Sequence, residues 1–103
     1  MKTTEYLDAV KAKRGLPSDY ALAKELEVSQ QTVTHYRNGR TSMGIETSMR
    51  VGEILGVDGH KVYADGQIER AKNSAQTAFW TDISEKFSVS FRNLLLGYGP
   101  HVA

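Results

Sequence analysis

The most informative pattern of apolar and polar positions lies in the first half of the chain. Leu22, Ala23 and Leu26 stand at i, i+1 and i+4, which is the spacing of one buried face of a helix. After an interruption of this spacing, Val33 and Tyr36 form a second and narrower apolar face. The pattern therefore predicts two short helices joined by a tight turn, with little of the second helix apolar.

Residues with strong capping preferences set the limits of the second helix of this pair. Ser29 is a good N-cap because its hydroxyl can accept a backbone N–H, and Gly39 can adopt the left-handed conformation that commonly follows a helix. We therefore predict a helix over residues 30–38. Nearly all of its other side chains can form hydrogen bonds: Gln30, Gln31, Thr32, Thr34, His35, Arg37 and Asn38. Such a helix is suited to recognising a polar target.

A first helix is predicted before this pair. It starts with Thr3 or Thr4 as its cap and runs to about Arg14, where a Gly-Leu-Pro sequence ends it. Its buried face consists of Tyr6, Leu7 and Val10. The hydroxyl of Ser18 then caps the second helix.

A fourth helix is predicted from Ile45 to Leu55, after a loop of sequence GRTSMG. Residues recur there at helical spacing in one set: Ile45, Met49, Gly52 and Leu55. Gly56 is expected to end this helix, and Val57 is expected to pack beneath it.

Two further helices and a last turn are predicted in the second half of the chain. The fifth helix begins at Asp58, and the sixth is capped by Ser74. Their apolar positions are Val62, Tyr63, Ile68 and Ala71 in the fifth helix and Phe79, Trp80, Ile83 and Phe87 in the sixth. A last turn carries Phe91, Leu94 and Leu95. No alternating pattern typical of a strand exceeds a few residues, so the predicted fold class is all-α.

Composition limits the class of protein. A chain of 103 residues with 40% hydrophobic and 24% charged residues is typical of one globular domain. It has no apolar run long enough to cross a membrane and no signal segment at its start. The absence of cysteine excludes disulfides and thiolate zinc sites and fits a reducing compartment. We therefore expect a cytoplasmic protein that does not associate with membranes.

The charges are unevenly distributed, although the formal net charge is only +1. Such a small net charge argues against a protein that coats nucleic acid by bulk electrostatics. No acidic residue occurs from Val28 to Ile45, whereas His35, Arg37 and Arg40 all fall within that segment. The positive field is therefore local, and it belongs to the polar helix and the loop that follows it.

The segment DYALAKELEVSQQTVTHYRNG, residues 19–39, resembles the helix-turn-helix of the Cro and lambda-repressor-like (XRE-type) transcriptional regulators, which suggests a phage or prophage origin. The matching residues are Ala23, Val28, Ser29, Val33, Tyr36, Asn38 and Gly39. The resemblance implies a bundle of about five helices with one or two extra helices at the C-terminal end. It covers about residues 3–57, so residues 1–57 would form the DNA-binding core. We interpret residues 58–103, outside the resemblance, as a helical extension for core completion or self-association in one compact domain.

Two residues depart from the family pattern. Glu27 stands at the turn, where the family usually has glycine and where the backbone φ is often positive. A residue other than glycine costs about 1 kcal/mol in that conformation, which a fold can absorb. Ser18 and Asp19 stand where the family often opens its second helix with a glutamine that contacts phosphate. That contact would then be lost, or it would move to the Ser18 hydroxyl and the backbone N–H groups.

The resemblance implies that the helix over residues 30–38 docks in the major groove of DNA. Glutamine side chains can pair with adenine, and threonine methyl groups can contact thymine. His35 and Arg37 could reach guanine or phosphate, and Arg37 is expected to be free because neither Val33 nor Thr41 is acidic. The loop residues are better placed for phosphates. The full predicted set is Ser18, Ser29, Gln30, Gln31, Thr32, Thr34, His35, Arg37, Asn38, Arg40, Thr41 and Ser42.

Three functional hypotheses follow. The first is a sequence-specific regulator, in the simplest case a repressor, that binds a double-stranded DNA operator as a homodimer. The second is an antitoxin-like or other interaction module that binds a protein partner through its aromatic C-terminal helices. The third is a helix-turn-helix scaffold without DNA binding. The sequence has no nucleophile elbow, Gly-rich phosphate loop or clustered histidines, so we expect no enzymatic activity, cofactor or metal.

Overall fold

The computed structural model describes residues 1–88, and these residues form six α-helices and no β-strand. In chain order the helices are α1 (Thr3–Arg14), α2 (Asp19–Leu26), α3 (Gln30–Arg37), α4 (Ile45–Leu55), α5 (Gly59–Glu69) and α6 (Ser74–Lys86). The predicted all-α fold class is confirmed. The predicted last turn with Phe91, Leu94 and Leu95 lies outside the described residues.

One apolar core joins the first five helices. Its fully buried side chains come from all five of them: Leu7, Val10, Leu22, Val33, Val51 and Val62. The predicted buried faces of α1, α2 and α3 are all found in this core. Because α5 contributes Val62 and packs against both α1 and α4, it belongs to the same packed unit as the helices before it.

The helix limits follow from local hydrogen bonds. Ser18 Oγ accepts the backbone N–H of Ala21 at 3.1 Å, and Ser29 Oγ accepts that of Thr32 at 3.0 Å, as predicted for the caps of α2 and α3. Asn73, rather than Ser74, caps α6. This correction has a simple reason, because an amide oxygen one residue earlier can fill the same role as a serine hydroxyl.

The start of α1 also differs from the prediction. Lys2 occupies the cap position, and Thr3 is the first helical residue and is buried. The Thr3 hydroxyl donates a hydrogen bond to Glu69 Oε1 at 2.7 Å, and its backbone N–H donates to the same oxygen. A carboxylate from α5 therefore replaces the local side-chain cap that was expected.

The buried face of α4 differs in part from the prediction: Gly52 is buried as predicted, whereas Met49 is 40% exposed. Ile45 is 63% exposed, and Val57, expected to pack beneath the helix, is also exposed. The buried residues of α4 are Ser48, Val51, Gly52 and Ile54. The reason lies in the crossing with α5: a Cβ atom on Gly52 would lie 2.7 Å from the carbonyl oxygen of Val57, and one on Gly59 would lie 2.7 Å from the Cα atom of Met49. The two glycines let α4 and α5 approach closely beside Met49 and Gly52, and this crossing leaves Ile45 exposed at the start of α4.

Helix α6 forms a separate layer on α5. The rings of Tyr63 and Trp80 meet edge to face, with centroids 5.9 Å apart, and His60 stacks on Phe87 at 4.6 Å. Ser84 is the buried residue of this helix, whereas Phe79 is exposed. The predicted aromatic stripe is therefore only partly covered by the described residues. None of the described helices is long and apolar enough to cross a membrane.

Candidate nucleic-acid interface

The position of α3 is fixed by a short turn and by two buried side chains. Val33 and Tyr36 are buried in the core, and the turn of Glu27, Val28 and Ser29 connects α3 to α2. Glu27 has a φ of 59°, in the left-handed region, as the resemblance implied for this position. The N–H of Val28 donates to the carbonyl oxygen of Ala23 at 3.0 Å and closes the end of α2. The turn therefore holds α3 at a defined angle to α2.

Most of the polar side chains of α3 face solvent. The exposed ones are Gln30, Gln31 and Thr34 within α3, together with Ser29 and Asn38 at its two ends. Thr32 and His35 are half-buried. Some hydroxyls already take part in local hydrogen bonds, since Ser29 Oγ and Thr32 Oγ1 lie 2.8 Å apart and Thr34 Oγ1 donates to the carbonyl oxygen of Gln30 at 3.1 Å. The two glutamine amides make no hydrogen bond from their side chains to other described residues.

The prediction that Arg37 is free is wrong. Its Nε donates to Asp19 Oδ2 at 3.1 Å and its Nη2 donates to Asp19 Oδ1 at 3.0 Å, a bidentate pair. Its Nη1 lies 2.8 Å from Asp8 Oδ1 and also approaches the carbonyl oxygen of Thr4. The reason is that the acids come from α1 and α2, whereas the prediction considered only partners four residues away along the chain. Arg37 is 23% exposed at its side chain.

These contacts form a charge cluster across three helices. Lys11 of α1 adds an ion pair with Asp19 Oδ1 at 3.2 Å. The hydrogen bonds from Arg37, and more weakly from Lys11, hold the pKa of Asp19 below its usual value against the opposing effect of burial. The pKa of Arg37 is raised, chiefly by the hydrogen bond to Asp19. The cluster ties the C-terminal end of α3 to α1 and to the start of α2.

The start of α2 is therefore not a bare positive helix end. Ser18 is half-buried, and its hydroxyl oxygen already accepts the N–H of Ala21. The neighbouring Asp19 carboxylate is compensated by Arg37 and Lys11. Ser18 can still donate its hydroxyl proton, so it keeps one hydrogen-bonding function for a ligand.

The loop after α3 presents some of its predicted residues and turns another inward. Gly39 has a φ of 72°, which fits its predicted place after the helix, and Met43 anchors the loop in the core. Arg40 and Thr41 are exposed. Ser42 instead is half-buried and faces α5. It lies close to Gly66, where an added Cβ atom would be 3.2 Å from the Ser42 Cβ.

The structure also places Arg70 beside the exposed loop that follows α3, and sequence reasoning missed this residue. Arg70 Nη1 donates a hydrogen bond of 2.9 Å to the carbonyl oxygen of Arg40. Thirty residues separate the two, so no local spacing could pair them. One signal was present in the sequence: a second stretch without acidic residues runs from Arg70 to Thr81.

Other kinds of site find little support in the described part of the chain. No group of three or more histidine, cysteine, aspartate or glutamate side chains there could hold a metal ion. Every buried side-chain nitrogen or oxygen within residues 1–88 has a hydrogen-bond partner. A shallow groove beside the turn is bordered by Glu27, Glu46 and Arg50, and Arg50 is paired with Glu25. No protein-family model, curated protein or solved structure matches this chain.

Proposed function

We propose that this chain is a sequence-specific regulator of transcription that binds double-stranded DNA with α3 in the major groove. The observation that carries the proposal is the exposed polar face of α3, which lies within a segment free of acidic residues. A helix in such a position can bring amides and hydroxyls to base edges without repelling the phosphates. The arrangement proposed is that of Cro and lambda-repressor-like helix-turn-helix regulators.

In this proposal the start of α3 reads the bases. Gln30 and Gln31 are exposed in its first turn, and a glutamine amide can pair in bidentate fashion with adenine N6 and N7. The methyl group of Thr34 can contact a thymine methyl. Thr32 and His35 are half-buried, so they contribute at the edge of the contact surface.

A second group of residues contacts the DNA backbone. Arg40 and Thr41 in the loop are exposed and lie beyond the C-terminal end of α3, where they position the protein without reading sequence. Ser18, Ser29 and Asn38 can each offer one hydrogen bond to a phosphate. Arg37 is assigned a different role, because its guanidinium is already bound to Asp19 and Asp8. It holds α3 in place.

The proposed regulator acts as a homodimer on DNA. So few cationic side chains on one subunit support only modest affinity, and two subunits on a pseudo-palindromic operator would overcome this. The half-sites would lie about one helical turn apart. Repression by occupying an operator in the cytoplasm is the simplest mechanism.

Selection of bound sites from random-sequence duplex DNA tests this proposal. The expected result is a short half-site, repeated in inverted orientation with a spacing of about one helical turn. The folded protein should also lose DNA affinity as salt increases. Absence of any enriched sequence, together with absence of salt-dependent affinity, would instead support a scaffold without DNA binding.

One observation favours a second candidate function. Phe79 is 58% exposed on α6, beside the half-buried Trp80. An apolar surface of this kind suits a protein partner, as in an antitoxin-like module in which DNA binding is only autoregulatory. Light scattering and DNA binding of the isolated protein together distinguish the two functions. A stable homodimer that binds DNA alone supports the regulator, whereas a monomer that requires a second protein supports the module.

A further inference from the structure

Helix α5 is joined to the loop after α3 by two contacts one helical turn apart. Gly66 lies against Ser42 closely enough that an added Cβ atom would be 3.2 Å from the Ser42 Cβ. Four residues later, Arg70 donates to the carbonyl oxygen of Arg40. Residues spaced i and i+4 share one helix face, so this face of α5 lies along the loop. The C-terminal end of α5 thereby reaches the surface that carries Arg40.

The guanidinium of Arg70 is available to a further ligand. Arg70 is exposed, forms no ion pair with a described residue, and uses one N–H group on the Arg40 carbonyl. An arginine has five N–H donors in a planar fork, so several remain. The hydrogen bond to Arg40 also orients this long side chain before a ligand arrives, which lowers the conformational entropy lost on binding.

The chain that follows Arg70 is poor in negative charge. The neighbouring Glu69 accepts two hydrogen bonds from Thr3 through one carboxylate oxygen, so it is engaged with the start of α1. The next acidic residue along the chain is Asp82. Within that interval Lys72 is exposed and has no ion pair with a described residue. A ligand that approached Arg70 from the side of Lys72 would therefore meet the positive charges of these two side chains, while the Glu69 carboxylate is held toward the start of α1.

We propose that Arg70 binds a DNA phosphate beside the half-site that α3 reads. The interface would then extend from α3 through the loop to the C-terminal end of α5, with Lys72 at its margin. This inference rests on the proposed function and deepens it, because it assigns a backbone contact to a helix outside the helix pair α2–α3. A phosphate contact of this kind raises affinity for all sequences alike and reads no base.

Two substitutions at Arg70 separate this role from a purely structural one. Arg70→Gln removes the charge and keeps an amide donor for the Arg40 carbonyl, whereas Arg70→Lys keeps the charge. Lys86→Gln is the matched control, because Lys86 is an exposed cation at the far end of α6. At 1.5 Å per residue it lies about 18 Å along the helix from Ser74, where α6 begins shortly after Arg70. Its ammonium pairs with Asp82 at 3.3 Å within its own helix.

The experiment measures binding of each full-length variant to labelled random-sequence duplex DNA over a series of salt concentrations. We expect Arg70→Gln to reduce the slope of log affinity against log salt by about one, and Arg70→Lys and Lys86→Gln to keep the wild-type slope. Circular dichroism checks that the variants are folded. An Arg70→Gln slope equal to that of Lys86→Gln would overturn the proposal, as would an equal loss of slope in Arg70→Lys.

Failure of this inference and failure of the proposed function give different results. If wild-type protein binds DNA in a salt-dependent manner and Arg70→Gln matches it, only the contact at α5 is wrong. If wild-type protein shows no salt-dependent affinity for duplex DNA, the regulator itself is wrong, and the Arg70 proposal is overturned with it.

Discussion

Helices α3 and α6 both lie at the surface, but they are attached in opposite ways. α3 buries its two apolar side chains, Val33 and Tyr36, and exposes polar ones. α6 buries Ser84 and leaves Phe79 exposed. α3 packs on both α1 and α2, whereas α6 packs only on α5 among the six described helices. Because α3 is anchored by buried side chains, it can present a fixed polar surface. Helix α6 still has exposed apolar surface, and covering that surface would be energetically favourable.

The largest expected difference between the two helices is in the cost of removing an aromatic ring. Tyr36→Ala should lower the free energy of unfolding by about 3–5 kcal/mol, because Tyr36 is 5% exposed and its loss leaves a cavity in the core. Phe79→Ala, the matched change on α6, should cost only about 0.5–1.5 kcal/mol, because it removes the edge-to-face contact with Trp80, 5.0 Å between ring centroids, and leaves no buried cavity. Urea unfolding followed by circular dichroism measures both. Equal costs for the two changes would show that α6 is covered as tightly as α3.

A buried carboxylate is the main polar link between α6 and the core. Asp65 of α5 accepts hydrogen bonds from Ser84 of α6 and Tyr6 of α1, and Lys61 Nζ lies 3.3 Å from its Oδ2. Burial alone would raise the pKa of Asp65, but these hydrogen bonds and the charges of Lys61 and the N-terminal amine outweigh it and lower the pKa. Burial and the bond to Asp65 raise the pKa of Tyr6, so its hydroxyl stays protonated as the donor.

Asp65→Asn should therefore weaken the attachment of α6 and change the response to acid. We expect a loss of about 1–3 kcal/mol at neutral pH, since buried hydrogen-bonding groups lose an ionised partner. Because the folded-state pKa lies below the ordinary value of 3.8, the wild-type carboxylate stabilises the fold above that pH, and its contribution disappears as pH falls through the folded-state pKa. The difference between variant and wild type should thus shrink in acid. Thermal unfolding at neutral and acidic pH measures this.

The control for Asp65 is Asp82→Asn on the exposed side of α6. Asp82 forms only an i,i+4 pair with Lys86, at 3.3 Å, and such exposed pairs contribute little. Its removal should leave the unfolding curves nearly unchanged at both pH values. A variant at position 65 that behaved like the control would mean that the buried link does not hold α6.

These contrasts also explain what the sequence could and could not predict. The limits of α2 and α3 follow from Ser18 and Ser29, whose capping bonds are local, and the core faces of α1 to α3 follow from helical spacing. The helical spacing in α4 correctly included Gly52, but the burial of Ser48 and the exposure of Ile45 depend on how α4 packs against other helices, which spacing along one helix does not contain. The acidic partners of Arg37 lie on α1 and α2, and Arg70 lies at the end of α5, so spacing along α3 indicates neither of them. Within the candidate site, the sequence thus indicated the exposed polar face of α3 and missed the contacts of Arg37 that hold this helix and the arginine that lies beside the loop.

If α3 binds DNA as proposed, its exposed polar face should contribute to discrimination between DNA sequences rather than to stability. Gln31→Ala should relax preference at one base pair by about 1–3 kcal/mol, because an exposed amide is removed from the first turn of α3. Gln76→Ala on α6 is the control, since α6 does not read bases in the proposal; the Gln76 amide oxygen accepts the N–H of Lys72 at 3.0 Å, so this change should affect stability and leave the base preference unchanged. Competition between selected and random DNA measures the preference. Equal weakening on both kinds of DNA would remove Gln31 from the base contacts.

The smallest expected effect separates the two arginines at the end of α3. Arg37→Gln should destabilise the fold by about 1 kcal/mol, because it breaks the bidentate pair with Asp19 and leaves Asp8 without its partner. It should weaken specific binding through a less fixed α3, and the slope of log affinity against log salt should stay unchanged. Arg40→Gln should do the reverse, with unchanged stability and a slope reduced by about one. If Arg37→Gln also lowered the slope, its guanidinium would have to leave Asp19 for a phosphate when DNA binds, and the charge cluster would then be a feature of the free protein alone.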